Sequence, residues 1–221
     1  VNLLAIETAT PACAIALRAN GRDASAVLDT ARHHTETLTA GIEAMLAAAG
    51  IAVGQLERVV VDRGPGLFTG LRVGLATAQA LAWGLGVELV GVSSLELLAL
   101  GAHRSGVRGE LVALVDARRG ELFAQRFALA ESVLARDEPA VTSPTALAGL
   151  AGAARLVATG DGAVRYREVL VAAGVTVLDE SVPPALEALE LGARRLAAPV
   201  APLYLREADA VANFATRERP R

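Results

Sequence analysis

Asp62-Arg-Gly-Pro-Gly-Leu-Phe-Thr-Gly-Leu-Arg-Val-Gly74 follows the apolar run Val59-Val60-Val61 and leads into an uncharged stretch from Val73 to Val87. The order reads as a buried strand, a glycine-proline loop and a helix running from about Thr69 to Trp83. Such a loop presents backbone N–H groups at the positive end of a helix dipole and so suits an anion; it serves equally as a tight strand-to-helix connection. Within the helix, Gly70, Gly74 and Ala78 recur every four residues, while Leu71, Leu75, Leu81 and Val73 cover much of the remaining surface. Each helical glycine costs about 1 kcal/mol relative to alanine, so a stripe of them implies something packed closely against it. A helix apolar nearly all round is buried on both sides, either by two parts of its own core or by its core and a partner.

Working outward, Leu3 to Ile6 reads as a buried strand ending at Glu7, and Cys13 to Leu17 as a second. Asn20-Gly21 suits a hairpin turn, because both residues tolerate positive φ, and leads to a third strand over Arg22 to Leu28. A helix from Thr35 to Ala49 follows, with Leu38, Ile42, Met45, Leu46 and Ala49 at helical spacing and Gly50 as its stop. The second half restarts the pattern: a strand from Leu111 to Val115 ends at Asp116, turns through Arg118-Arg119-Gly120 and returns over Glu121 to Phe127. Beyond it lie a short strand over Leu156 to Ala158, a Gly160-Asp161-Gly162 turn, helices over Val164 to Ala173 and Pro184 to Ala197, and a polar tail after Arg206. Two halves that each open with strand, acid, turn and return strand predict a duplicated α/β chain, divided as 1–104 and 105–221.

Composition narrows the function. Hydrophobic residues make up 53% of the 221 residues but aromatics only 3%, so the core must be built of alanine, valine and leucine. The Val73–Val87 stretch is shorter than the ~20 residues needed to span a bilayer. With no basic, cleavable leader pattern ahead of the first strand and Cys13 as the only cysteine, the sequence predicts a cytoplasmic protein without internal disulfides. A net charge of −3 is wrong for a stand-alone nucleic-acid binder. All 21 basic residues are arginine, so neither a P-loop lysine nor a Schiff base is available.

The loop and helix start Gly64-Pro-Gly-Leu-Phe-Thr-Gly-Leu-Arg-Val-Gly74 resembles the signature of the TsaB (YeaZ) family. Leu4-Ala-Ile-Glu-Thr-Ala-Thr10, His34-Thr-Glu-Thr-Leu38, Asp116-Ala-Arg-Arg-Gly120, Gly160-Asp-Gly162 and Tyr204-Leu-Arg206 resemble its pattern in the same order. Leu67 departs from it, standing where the family more often has serine. The resemblance implies an actin-like (ASKHA) fold of two lobes, each a mixed sheet flanked by helices. It also implies a non-catalytic dimerisation subunit in the formation of threonylcarbamoyladenosine beside the tRNA anticodon. In that pathway a longer paralogue, TsaD, performs the transfer, a TsaE-type ATPase joins the pair, family members self-associate through the same helical face, and tRNA is met mainly through the complex.

The residues agree with chemistry lying elsewhere. The catalytic paralogue binds metal through His-x-x-x-His; Ser94 and Leu98 occupy the comparable positions here, so no metal site is expected. His33 and His34 are adjacent and His103 stands alone. Glu7 and Asp116 sit where actin-fold kinases place acids toward phosphates, but neither is followed by the glycine that lets a phosphate approach, and capping of nearby N–H groups is the plainer role. No cofactor is therefore expected. The alternative is a weak ATP or ADP site involving Glu7, Asp116, Gly160, Asp161 and Gly162, and with it a phosphotransferase or metallopeptidase-like enzyme. The arginine pairs Arg118/Arg119 and Arg194/Arg195, with Arg217, Arg219 and Arg221, read as solvated surface beside acidic neighbours. The expected interface comprises Leu38, Ile42, Met45, Gly70, Leu71, Gly74, Leu75 and Ala78.

Overall fold

The computed structural model describes residues 1–28, 34–150 and 155–206, without the side chains of 34–36 and 150. His33 and the arginines of the tail lie outside these residues. The first sheet is formed by β1 (Leu3–Glu7), β2 (Cys13–Ala19), β3 (Arg22–Leu28), β4 (Arg58–Asp62) and β5 (Glu88–Val92), in the order β3-β2-β1-β4-β5. Here β1 to β3 form an antiparallel meander, and β4 and β5 add parallel strands. Asn20 and Gly21 both take positive φ at the first hairpin turn. Alternation along the strands divides the core. Leu4, Ile6, Ile15, Leu17, Val59 and Val61 face α1 (His34–Ala49) and α2 (Phe68–Leu85), and Leu3, Ala5, Ala14, Ala16 and Val60 face the opposite layer.

That opposite layer holds α3 (Ser94–Arg104) and α7 (Ala185–Arg194). Leu97 of α3 faces the first sheet, while Leu95, Leu98, Ala99 and Ala102 face the second. The second sheet comprises β6 (Gly109–Arg118), β7 (Glu121–Leu129), β8 (Val133–Ala135), β10 (Val157–Thr159) and β11 (Thr176–Val177) in the order β11-β10-β6-β7-β8, with β9 (Ala140–Thr142) also paired to β7. It repeats the first: a central strand with an antiparallel return on one side and two parallel strands on the other. Its outer face is covered by α4 (Pro144–Leu150), α5 (Asp161–Arg165) and α6 (Arg167–Ala172), which supply Leu147, Ala163 and Leu170. This duplicated order is the actin-like fold.

Several details differ from the sequence reading. Gly160-Asp161-Gly162 opens α5 rather than forming a free turn, and the single helix expected to Ala173 breaks at Tyr166. The last helix stops at Arg194, since Arg195 is extended and its guanidinium reaches across to Glu96 of α3. The division at residue 104 assigns α7 to the second half, yet α7 packs on β1, β2 and β4 of the first sheet. Glu187 explains part of this return: it sits buried and holds Arg104 of α3 at 2.7 Å.

Two glycines of α2, Gly70 and Gly74, are explained inside the chain. A Cβ on Gly70 would lie 2.1 Å from the Thr8 carbonyl oxygen, and one on Gly74 2.1 Å from Thr8 Oγ1. The Thr8 hydroxyl in turn donates to the Gly70 carbonyl at 2.9 Å. Gly74→Ala should therefore cost about 1–3 kcal/mol of stability through overpacking, and Gly74→Leu should prevent folding. Urea titration followed by circular dichroism checks this, and an unchanged midpoint for Gly74→Ala would refute it.

Candidate functional site

The strands that cross the middle of each sheet end in acids where the two lobes meet. Glu7 closes β1, and Asp62 closes the adjacent parallel strand β4, one step beyond the Ile6–Val61 pair. Glu7 Oε1 accepts the Ala9 N–H at 2.7 Å and shapes the turn after β1. Asp62 Oδ1 accepts the Gly64 N–H at 2.7 Å and lies 2.9 Å from the Ser94 hydroxyl, which is also 3.0 Å from the Pro65 carbonyl. The second oxygen of each carboxyl, Glu7 Oε2 and Asp62 Oδ2, is buried without a hydrogen-bond partner, as is Thr10 Oγ1. Burial foremost, then the charge of Asp62, raises Glu7 well above the ordinary carboxylate range. Burial pushes Asp62 up to about 7 against the hydrogen bonds from Gly64 and Ser94. The Cys13 thiol, buried beside Glu7, is pushed up to about 12 and is held as an inert core group.

From the second lobe come Asp116 and Asp161. Asp161 Oδ1 accepts the Asp116 N–H at 2.9 Å, and burial followed by the Asp116 charge raises it. The negative charge of Asp161 is felt at Glu7, so the four acids share one region. Asp116 accepts the Arg118 N–H at 2.9 Å and pairs with the guanidinium groups of Arg118 at 3.1 Å and Arg165 at 3.5 Å. Gly160 and Gly162 press α5 against β6: a Cβ on Gly160 would lie 2.1 Å from the Leu114 carbonyl oxygen, and one on Gly162 2.6 Å from Leu122 Cδ2. These two glycines thus serve helix-to-strand contact. The structure brings the candidates Glu7, Asp116 and Asp161 together, adding Asp62 and Ser94, which the sequence reading did not place there. The repeated ending of a central strand in an acid was the signal for Asp62.

Among the described residues, no three His, Cys, Asp or Glu side chains converge as metal ligands. Ser94 is spent on the Asp62 turn, and Leu98, four residues on, fills the space beside Gly160, its Cδ1 lying 2.8 Å from where a Cβ there would be. His103 Nε2 lies 2.9 Å from the Ala130 carbonyl. Arg194 pairs with Glu190 and Arg195 with Glu96. No helix among the described residues is long and apolar enough to cross a membrane.

The expected interface residues lie mainly inside the chain. Leu38, Ile42, Leu75 and Ala78 pack onto the first sheet, Leu71 is fully buried, Gly70 and Gly74 meet Thr8, and Met45 is half-buried. Seven of these eight are buried in the chain on its own. The outer face of α2 instead shows Phe68, Arg72, Ala76, Ala80 and Trp83, the last 90% exposed. α1 exposes Thr39, Ala40, Glu43 and Ala47, and its Ala44 and Ala48 line a groove against β2 and β3.

A family model described as TsaD: tRNA N6-adenosine threonylcarbamoyltransferase matches residues 28–177. YeaZ from Pseudomonas aeruginosa superposes with a TM-score of 0.76 and 30% identity over 87% of this chain and 90% of that one. The chain belongs to the TsaB/YeaZ family. Another P. aeruginosa structure, described as an uncharacterized protein with similarity to peptidase YEAZ, gives 0.82 and 31% over 93% of this chain and 99% of that one. The tRNA threonylcarbamoyladenosine biosynthesis protein TsaB of Escherichia coli is 36% identical over 123 residues, 56% of this chain and 53% of that protein. The chain spans about half the length of the curated TsaB relatives it matches.

Because Glu7 and Asp62 are raised, both hold protons in the folded chain at pH values where the unfolded chain has lost them. The Asp62 contribution to stability is full below its unfolded value of about 4 and is lost as pH rises through about 7, and that of Glu7 has the same sign. The urea midpoint should fall between about pH 4 and 7, and Asp62→Asn, which keeps the acceptor for Gly64 and Ser94, should flatten that fall. An identical slope in the variant would rule out Asp62 as its source.

Proposed function

We propose that this chain is a non-catalytic subunit that docks on a TsaD-type threonylcarbamoyltransferase and supports the formation of threonylcarbamoyladenosine in tRNA. The observation that carries this reading is the outer face of α2. Between exposed Phe68 and Trp83 it sets Arg72, Ala76, Gln79 and Ala80, and the two alanines suit close approach of another helix with an aromatic anchor at either end. α1 packs against α2. The docking face thus belongs to the lobe proposed to span residues 1–104, with 105–221 forming the other apart from the return of α7. The curated relatives named for tRNA threonylcarbamoyladenosine biosynthesis support the pathway.

The non-catalytic part of the proposal is supported by the junction of the lobes. Gly160 and Gly162 are filled by packing against the second sheet, and Asp116 is held by two arginines. The same helical face would serve self-association when the chain is alone, a TsaE-type ATPase would join the pair, and tRNA would be met through the assembly.

Ala80→Arg places a long charged side chain at the centre of the proposed face without entering the core. It should weaken association with the paralogue by about a hundredfold and lower threonylcarbamoyladenosine formation in a reconstituted reaction, with an unchanged melting temperature. Size-exclusion chromatography with light scattering reads the association. Wild-type pairing by this variant would overturn the assigned face, and a reaction that proceeds equally without the chain would overturn the supporting role.

A further inference from the structure

The segment from Val200 to Arg206 runs from one lobe to the other past the start of α2. Val200 packs beside Gly91 of β5, and its carbonyl accepts from Gln79 of α2 at 3.3 Å. The Leu203 N–H donates to the Arg63 carbonyl at 2.7 Å, in the loop that follows β4. Leu205 packs against the core of the second lobe, and Arg206 pairs with Glu121 of β7 at 2.8 Å. Tyr204 is therefore held from both sides. Its ring lies 5.4 Å from that of Phe68, tilted by 34°, and the Arg72 guanidinium covers Phe68 at 3.7 Å. Phe68 and Tyr204 remain 41% and 45% exposed, and Arg72 is exposed.

This stack differs chemically from the alanine face beyond it. The Arg72 guanidinium over the Phe68 ring is exposed, and its N–H fork is the group that grips a carboxylate with two parallel hydrogen bonds. Among the described residues Arg72 forms no ion pair, unlike Arg18, Arg58, Arg118, Arg126, Arg167 and Arg195, which all do. The backbone on either side of Tyr204 is held by Leu203 and Arg206, which lowers the cost of ordering this segment on binding.

We infer that the docking surface of α2 continues onto the C-terminal segment as an Arg72–Phe68–Tyr204 stack, which receives an aspartate or glutamate side chain of the partner protein. The inference rests on the docking reading above and names the chemistry that the partner must bring. The rings exclude water from the rim of the pair, and the salt dependence of association comes from this end of the face.

Isothermal titration of the chain with its TsaD-type paralogue, at low and high salt, tests it. Arg72→Ala should weaken binding about tenfold and Arg72→Glu about a hundredfold, each with a flatter salt dependence than wild type. Tyr204→Phe should bind as wild type, and Tyr204→Ala should lose about tenfold. Should Tyr204→Ala lower the melting temperature, the exposed Arg72→Glu still decides the matter. Loss of binding in Ala80→Arg with no change in Arg72→Glu and Arg72→Ala would overturn the carboxylate site while leaving the α2 face intact. Undiminished binding by Ala80→Arg would overturn the face itself.

Discussion

The contact of α2 with the turn after β1 sets the positions of most other elements in the first lobe. Gly70 and Gly74 let the helix backbone come close enough for the Thr8 hydroxyl to bond the Gly70 carbonyl, with no room for a side chain between them. With α2 seated there, Leu75, Ala78 and Ala82 fall onto the sheet beside Leu38 and Ile42 of α1, and the opposite side of α2 faces outward. The Gly64–Gly66 loop is drawn in by the same contact, since the Leu67 N–H donates to the Ala9 carbonyl at 2.7 Å. Two helical glycines, unfavourable for an isolated helix, are thus offset by the packing they permit.

The acids at the lobe junction follow from strand order. Parallel neighbours end at the same level, so terminal acids on β1 and β4 come side by side, and the duplicated sheet adds Asp116 at the equivalent place. A carboxyl buried with one oxygen unpartnered keeps its proton, and Glu7 and Asp62 together disfavour a second charge in the space. The junction therefore holds buried carboxyls that favour their protonated forms, while the exposed aromatic rings of the described residues, Phe68, Trp83 and Tyr204, lie on α2 and the C-terminal segment.

Much of this architecture was legible in the residues. The 3.6-residue periodicity of α1, the apolar core of β4, the Asn20-Gly21 hairpin and the restart after residue 109 each carry a local signal, and the duplication appears as a repeated strand, acid and turn. β5, β8 and β9 carry little signal of their own: they are short, and Val133–Ala135 and Ala140–Thr142 are mostly exposed strands recognised by their pairing with β7. The return of α7 to the first sheet depends on contacts between residues about a hundred positions apart, such as Arg58 with the Gly192 carbonyl.

The sequence by itself determined the fold class, the duplicated halves and the need for something to lie against the glycine stripe, because periodicity, turn residues and side-chain volume act over a few positions of the chain. Only the tertiary structure decided that Thr8 of the same chain fills that place, that Asp62 joins Glu7, and that Phe68, Arg72 and Tyr204 form one surface. An apolar or small residue on a helix is equally suited to its own core and to another molecule. Which of the two it meets is decided by how the helix is rotated on its sheet, and that rotation depends on contacts from distant parts of the chain.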